Sequence, residues 1–312
     1  MEKESASTRF LYNTALGRAV LIVITRPWLS KAAGAFLSSA VSKPLIPGFV
    51  RKNGIDLSGC ESTDFGCFND CFTRKLKAEL RPVDLEPSAL ISPCDGLLSA
   101  YVITGGLVVP VKQSRYSVAD LFGAGADLPA KEKERRKKLA ESFDGGLCLV
   151  FRLRVQDYHR YAFFDSGRAC APYRIPGKLH TVRPIALRQV PVFTENAREV
   201  TVIGSDNFGL AAQIEVGALM VGKIDNYPLP ECSDKNTGGK AGVAKGAEKG
   251  RFLFGGSTII LLLQKDRADG LSEALKATSE GLETPVRLGQ RIGDATCCCG
   301  GAQARPGSSC GA

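Results

Sequence analysis

From Leu90 onward the chain alternates short apolar runs with Gly, Pro and Asp punctuation. The runs are Gly96–Ile103, Leu107–Val111, Gly146–Val155, Glu199–Ile203, Ala212–Val221 and Phe252–Leu263. Segments of this length bounded by turn residues predict a mostly antiparallel β domain. Residues 1–53 follow a helical pattern instead, with breaks at Pro27 and at Pro44 and Pro47. Cys67–Leu76 predicts a further helix ending before Pro82. The mixed charge run Lys131–Lys138 predicts a solvated helix face, and Ser233–Lys249, rich in Gly, Lys and Ala, a flexible loop. The expected architecture is α+β: a helical region over 1–82, a β-rich domain over 83–293 and a disordered tail over 294–312.

Composition makes this a chain with a substantial core, since 44% of its 312 residues are hydrophobic. Charge adds a second feature. The net charge is +9, and residues 1–53 hold eight basic side chains (Lys3, Arg9, Arg18, Arg26, Lys31, Lys43, Arg51 and Lys52) against Glu2 and Glu4. A basic segment of this kind suits nucleic acid or acidic lipid headgroups. Interleaved aromatics and a recognised nucleic-acid motif are missing, so no nucleic-acid partner is expected. No segment reaches the roughly 20 apolar residues that span a bilayer. Ala19–Ile24, between Arg18 and Arg26 and next to Pro27, fits a helix lying in a membrane surface with Phe10, Leu11, Tyr12 and Trp28; the alternative is a helix packed on the domain.

The eleven cysteines, an odd number, occur without a secretory signal, because Arg18 interrupts the apolar stretch. Free thiols in a reducing compartment are expected. Cys60, Cys67 and Cys71 lack CxxC spacing and a nearby histidine, so no metal is expected. No phosphate-cradling glycine loop follows a strand. Only two histidines, His159 and His180, are available to any mechanism that needs an imidazole.

Three stretches sit oddly in a simple β core. Ser92-Pro-Cys-Asp-Gly96 puts Asp95 at a tight turn leading into a strand. Asp157-Tyr-His-Arg-Tyr161 puts His159 just past an apolar strand. Phe252–Leu263 carries Gly255-Gly256 and then Ser257 inside an apolar run. Taken singly these are a turn aspartate, a structural histidine and a strand bulge. A Ser-His-Asp hydrolase would use the same residue types, but Ser257 has no Gly-x-Ser-x-Gly elbow.

The ordered set resembles the phosphatidylserine decarboxylases. Phe65–Leu76, Val182–Leu187, Phe193–Arg198, Glu215–Gly217 with Val221-Gly222, and Lys245–Gly250 all look like segments of that family, and the likeness covers roughly residues 10–293. The resemblance implies a proenzyme that cuts itself between Gly256 and Ser257, giving a β chain of residues 1–256 and an α chain of residues 257–312. It implies that Ser257 attacks the Gly256 carbonyl and is converted by β-elimination to a covalent pyruvoyl cofactor. That group forms a Schiff base with phosphatidylserine in an anionic membrane and accepts electrons as CO₂ departs, yielding phosphatidylethanolamine. A homodimer of cleaved units, peripheral on the cytoplasmic face of a bacterial membrane, is expected on the same ground. Asp95 and a histidine would activate Ser257. Relatives commonly read Tyr-His-Arg-x-His, with the second histidine as base; here that position is Ala162. His180 is the candidate stand-in, with His159 serving proton transfer. A non-catalytic lipid-binding relative is the competing reading.

Overall fold

The computed structural model describes residues 6–108, 116–182, 184–187, 189–218, 223–229, 240–255 and 257–296. Its centre is a nine-stranded antiparallel sheet. The main path runs Ala241–Val243, Gly167–Ala169, Arg198–Ser205, Gly209–Val216, Ser257–Leu263, Leu147–Leu153, Gly96–Val102 and Thr284–Val286, with Tyr173–Ile175 also paired to Arg198–Ser205. Ser257–Leu263 is a central strand, and all seven of its residues are buried. A strand covered on both faces reads as an unbroken apolar run. Alternation divides it: Ile260 and Leu262 join one core with Val150, Ile214 and Val216, while Ile259, Leu261 and Leu263 join the opposite core with Leu149, Phe151 and Leu153.

The amino-terminal region forms four helices, α1 (Ala6–Asn13), α2 (Ala15–Ile24), α3 (Pro27–Leu37) and α4 (Ile46–Asn53). Thr14 caps α2 by accepting the Gly17 N–H at 2.9 Å. Pro27 opens α3 at a position where its missing N–H costs nothing. Tyr12 and Leu21 are buried in the same core as Ile260 and Leu262, so this region packs on one face of the sheet. Its other side is apolar and open, with Leu16 67%, Ile22 62% and Trp28 61% exposed. No described helix is long and apolar enough to cross a membrane, and α2 and the body of α3 meet at a 67° bend.

Tertiary hydrogen bonds alter three local expectations. The helix expected over Cys67–Leu76 shrinks to α5 (Phe68–Phe72). The Asp70 carboxylate accepts the Gly66 and Cys67 N–H groups at its start, and past its end Leu76 bridges to Cys60 in antiparallel fashion. The run Phe252–Leu263 is not one strand. Glu248–Phe252 lies between Ile224–Asn226 and Arg160–Ala162 in a separate three-stranded sheet, and Ser257 then opens the central strand. Finally, the loop expected over 233–249 contains the strand Ala241–Val243 and the start of Glu248–Phe252, with residues 230–239 outside the described part. Lys245 is buried there, donating to the Glu86, Pro87 and Ala89 carbonyls and lying 3.3 Å from Asp165. The charge run 131–138 does form a helix, Ala130–Glu141. The disordered tail expected over 294–312 begins instead inside the strand Arg291–Ala295, where Asp294 pairs with Ala89 and Ala295 with Ala268; residues 297–312, and the residues 109–111 and 219–221 of two expected strands, lie outside the described residues.

Gly167 has φ +152°, and a Cβ there would fall 2.2 Å from the Gly204 carbonyl oxygen. G167A is expected to destabilise the protein by about 3 kcal/mol through strained backbone and overpacking, read as a lowered midpoint in denaturant unfolding.

Candidate functional site

Asp95 and Ser257 sit at the same end of the large sheet, on either side of one residue. Ser257 pairs with Leu153 across the ladder, and Gly96, which follows Asp95, lies so close to that strand that a Cβ would meet the Arg152 carbonyl oxygen at 2.7 Å. Glycine is required at position 96, where φ is +153°. Ser257 is fully buried, and its Oγ finds no hydrogen-bond partner among the described residues. A buried hydroxyl without a partner costs stability; Thr201 and Thr258 carry the same cost, and Ser257 is set apart by its place at the head of the strand after Gly255-Gly256. Gly256 lies outside the described residues.

His159 is reached through the smaller sheet. Its carbonyl accepts the Phe252 N–H at 2.9 Å, which ties the histidine to the strand leading toward Ser257. Nδ1 lies 2.9 Å from the Asp157 carbonyl oxygen. A carbonyl only accepts, so Nδ1 carries the proton and Nε2 keeps its lone pair. Nε2 is buried and has no partner. Burial drives the imidazole pKa down to about 3, and the nearby Arg74 charge adds to the effect. The side chain is therefore neutral at pH 7 and presents a bare acceptor nitrogen.

Asp95 is not paired with an imidazole. Its Oδ1 accepts Arg81 Nε–H at 2.7 Å and the Leu288 N–H at 2.9 Å, and Oδ2 is taken by Arg81 Nη2. Ala162 is buried against Tyr158 and Leu288, and its N–H donates to the Pro93 carbonyl. Arg81 thus compensates the Asp95 charge close to Ala162, the position at which the family resemblance led to the expectation of a second histidine.

His180 is not brought to this group. Its Nδ1 lies 3.4 Å from Tyr12 Oη, its Nε2 3.6 Å from Glu195, and Asn196 bonds its backbone on both sides. Tyr12 belongs to the core on the Ile260 and Leu262 face, whereas alternation turns Ser257 toward the opposite one. The stand-in role expected for His180 has no geometric support. Its scarcity in the sequence made it a candidate; the face of the sheet it occupies was not legible there.

Three further groups had no role assigned from sequence. Lys249 and Glu215 form a buried ion pair at 2.8 Å, shared with Asn226. Burial raises the Glu215 pKa and lowers that of Lys249. Glu215 faces Ile259 across the ladder, so it shares Ser257's face of the sheet one side chain along. Gln213 links this pair to the site by bonding both Glu215 and the Ala162 carbonyl. Phe49, Phe68, Phe72 and Phe254 form a continuous aromatic bridge from α4 to His159, with Phe72 and His159 ring centroids 4.0 Å apart.

A model of the phosphatidylserine decarboxylase family matches residues 68–294. The chain is also similar, at 38% identity over 93% of its length and 92% of the relative's, to phosphatidylserine decarboxylase proenzyme 2 of Clostridium acetobutylicum. It is 40% identical to a phosphatidylserine decarboxylase proenzyme of Clostridium perfringens, with 91% of each chain covered. A proenzyme of Ruminiclostridium cellulolyticum bearing the same name is 38% identical over 91% of this chain and 89% of its own.

The state of His159 has a consequence for stability. Its folded pKa lies below its unfolded value of 6.5, so the unfolded chain binds the extra proton first as pH falls. The stabilisation is complete above pH 6.5 and is lost progressively toward pH 3. By pH 4.5 this one group is expected to remove about 2–3 kcal/mol, and H159Q should show a correspondingly shallower acid loss in unfolding titrations run beside the wild type.

Proposed function

Because the chain belongs to the phosphatidylserine decarboxylase family, we propose that it is made as a proenzyme, cuts itself at Gly256–Ser257 and converts phosphatidylserine to phosphatidylethanolamine and CO₂. The observation that carries this reading is the buried, unpartnered Ser257 Oγ at the head of a central strand, preceded by two glycines. No Cβ on Gly256 obstructs approach of Oγ to the preceding carbonyl. Strand pairing with Leu153 holds the serine while the chain before it leaves for the smaller sheet.

The residues fit a pyruvoyl group made from Ser257. Ser257 Oγ and His159 Nε2 are buried with no partner among the described residues, and Asp95, its charge compensated by Arg81, lies at the same end of the sheet as Ser257. Such a group supplies a carbonyl for the substrate amine and an electron sink as CO₂ leaves. His159 Nε2 is the proton acceptor and donor for that chemistry in this reading, held in one tautomer by Asp157. Asp95, fixed by Arg81 and Leu288, supplies negative potential without being free to swing. The aromatic bridge keeps water from this end of the sheet and favours loss of charge from a carboxylate.

The amino-terminal helices supply the membrane contact. Leu16, Val20, Ile22, Val23, Trp28, Phe36, Val41 and Leu45 are exposed apolar side chains. Arg9, Arg18, Arg26, Lys31, Lys43, Arg51 and Lys52 are exposed around them. An apolar surface rimmed with cations fits a peripheral seat on an anionic bilayer, the surface on which phosphatidylserine is found. The cleaved units pair as a homodimer, by the same family resemblance.

On a denaturing gel the purified protein is expected as fragments of 256 and 56 residues, and S257A as a single chain of 312. The smaller fragment should be lighter than one beginning with serine by an ammonia. H180A is expected to cleave and to release CO₂ as the wild type does, while H159A loses at least a hundredfold in decarboxylation. A wild-type chain that stays intact and makes no phosphatidylethanolamine would overturn the reading. Replacing Ile22 and Trp28 together by serine is expected to weaken binding to phosphatidylserine-containing vesicles at least tenfold, measured by co-sedimentation.

A further inference from the structure

Five arginines are buried among the described residues: Arg74, Arg136, Arg152, Arg160 and Arg198. Arg136, Arg152 and Arg160 each hold a carboxylate, from Glu132, Glu283 and Glu248. Arg198 has none, but its guanidinium donates to the carbonyls of Asp120, Leu121, Thr194 and Asn196. Arg74 differs from all four. It is 6% exposed, its Nη2 donates to the Gln156 carbonyl at 3.1 Å, and its Nε and Nη1 are buried with no acceptor among the described residues. A guanidinium out of water with two idle donors is costly unless an anion joins it.

Its position says which process would bring that anion. Arg74 follows α5 by two residues, and the ring of Phe72 in that helix lies on His159. The Arg74 charge is one of those felt at His159, after the larger effect of burial. Arg160, beside His159 in sequence, donates to the Thr73 carbonyl and fixes this turn. Arg74 Nε and Nη1, His159 Nε2 and Ser257 Oγ are thus buried, idle polar atoms linked through Phe72, His159 and the strand that runs on toward Ser257.

We propose that Arg74 is a substrate-binding residue that takes the phosphodiester anion of the lipid headgroup. This rests on the reading of the site given above. The headgroup of phosphatidylserine offers two anions, a carboxylate and a phosphodiester. A guanidinium clamped on the carboxylate would stabilise the ground state and oppose loss of CO₂, because that charge must leave the group in the transition state. The phosphodiester keeps its charge throughout. Its oxygens can accept charge-assisted hydrogen bonds, and Nε and Nη1, on opposite edges of the guanidinium, each have one to give. The aromatic cluster of Phe49, Phe68, Phe254 and Phe72 joins α4, in the amino-terminal region, to His159 beside this turn.

The test uses the mature protein and two soluble probes that separate the anions. Glycerophosphoethanolamine carries the phosphodiester and no carboxylate; L-serine carries the carboxylate and no phosphate. R74M is expected to weaken binding of glycerophosphoethanolamine about tenfold to a hundredfold by titration calorimetry, with R74K intermediate. It should raise the KM for phosphatidylserine in mixed micelles by a similar factor, with the loss falling on KM rather than kcat. Self-cleavage to two fragments on the same gel reports that the variants fold. Glycerophosphoethanolamine binding equal to wild type in R74M overturns the proposal. So does a loss seen for L-serine instead, which would assign Arg74 to the carboxylate. If R74M fails to cleave, R74K carries the comparison: glycerophosphoethanolamine affinity equal to wild type overturns the proposal and a weakened one supports it. A wild type that binds glycerophosphoethanolamine through Arg74 but releases no CO₂ would refute the decarboxylase reading alone.

Discussion

The burial of one strand on both faces governs the molecule. Ser257–Leu263 has apolar cores on either side and a hydrogen-bonded neighbour on each edge, so its register cannot slip by one residue without exchanging two complete sets of side chains. Ser257 is the first residue of that strand. Its hydroxyl therefore inherits the rigidity of the core, while the preceding strand in sequence, Glu248–Phe252, belongs to another sheet. A nucleophile fixed at the first position of a buried strand, with strands of two different sheets on either side of it in sequence, is held in place at the bond to be broken.

The polar groups around this point are few and each is held by something specific. Arg81 and the Leu288 N–H fix Asp95, Asp157 sets the tautomer of His159, and Lys249 neutralises Glu215. The network is tight because a low-dielectric interior penalises any unpaired charge. Against that background, the few side-chain atoms left idle stand out. Ser257 Oγ, His159 Nε2 and two Arg74 nitrogens are idle among the described residues, as are Thr201 Oγ1, Gln213 Oε1 and Thr258 Oγ1, and Arg74 is the one buried arginine there with two idle donors. Ala162 belongs to the same economy: with no second imidazole in the motif, Asp95 is balanced by an arginine.

The amino-terminal helices connect this interior to a surface of different character. Tyr12 and Leu21 anchor them to the sheet, Phe49 joins the aromatic bridge, and the opposite side remains apolar with a basic rim. Sequence patterning had left two readings open for these helices, packed on the domain or lying on a membrane. The structure contains the first, and its open face leaves room for the second, because an amphipathic helix pair has two faces to satisfy.

The sequence by itself determined the α+β class, the antiparallel β domain, the helical start with its proline breaks, and the candidates Asp95, His159 and Ser257. These follow from local rules: apolar periodicity, proline and glycine punctuation, and an ordered set of short motifs. It did not determine the split of Phe252–Leu263 between two sheets, since an apolar run looks the same whichever sheet receives it. Nor did it reveal that residues 241–249 are ordered strand and buried lysine, because Lys245 and Lys249 find their partners at Asp165, Ala89 and Glu215 far along the chain. Tertiary structure alone decided that His180 belongs to the other face of the sheet, that Arg81 occupies Asp95, and that Arg74 is buried without an anion. Each is a matter of which distant groups share a face or a cavity, and long-range pairing leaves no periodic trace in the sequence.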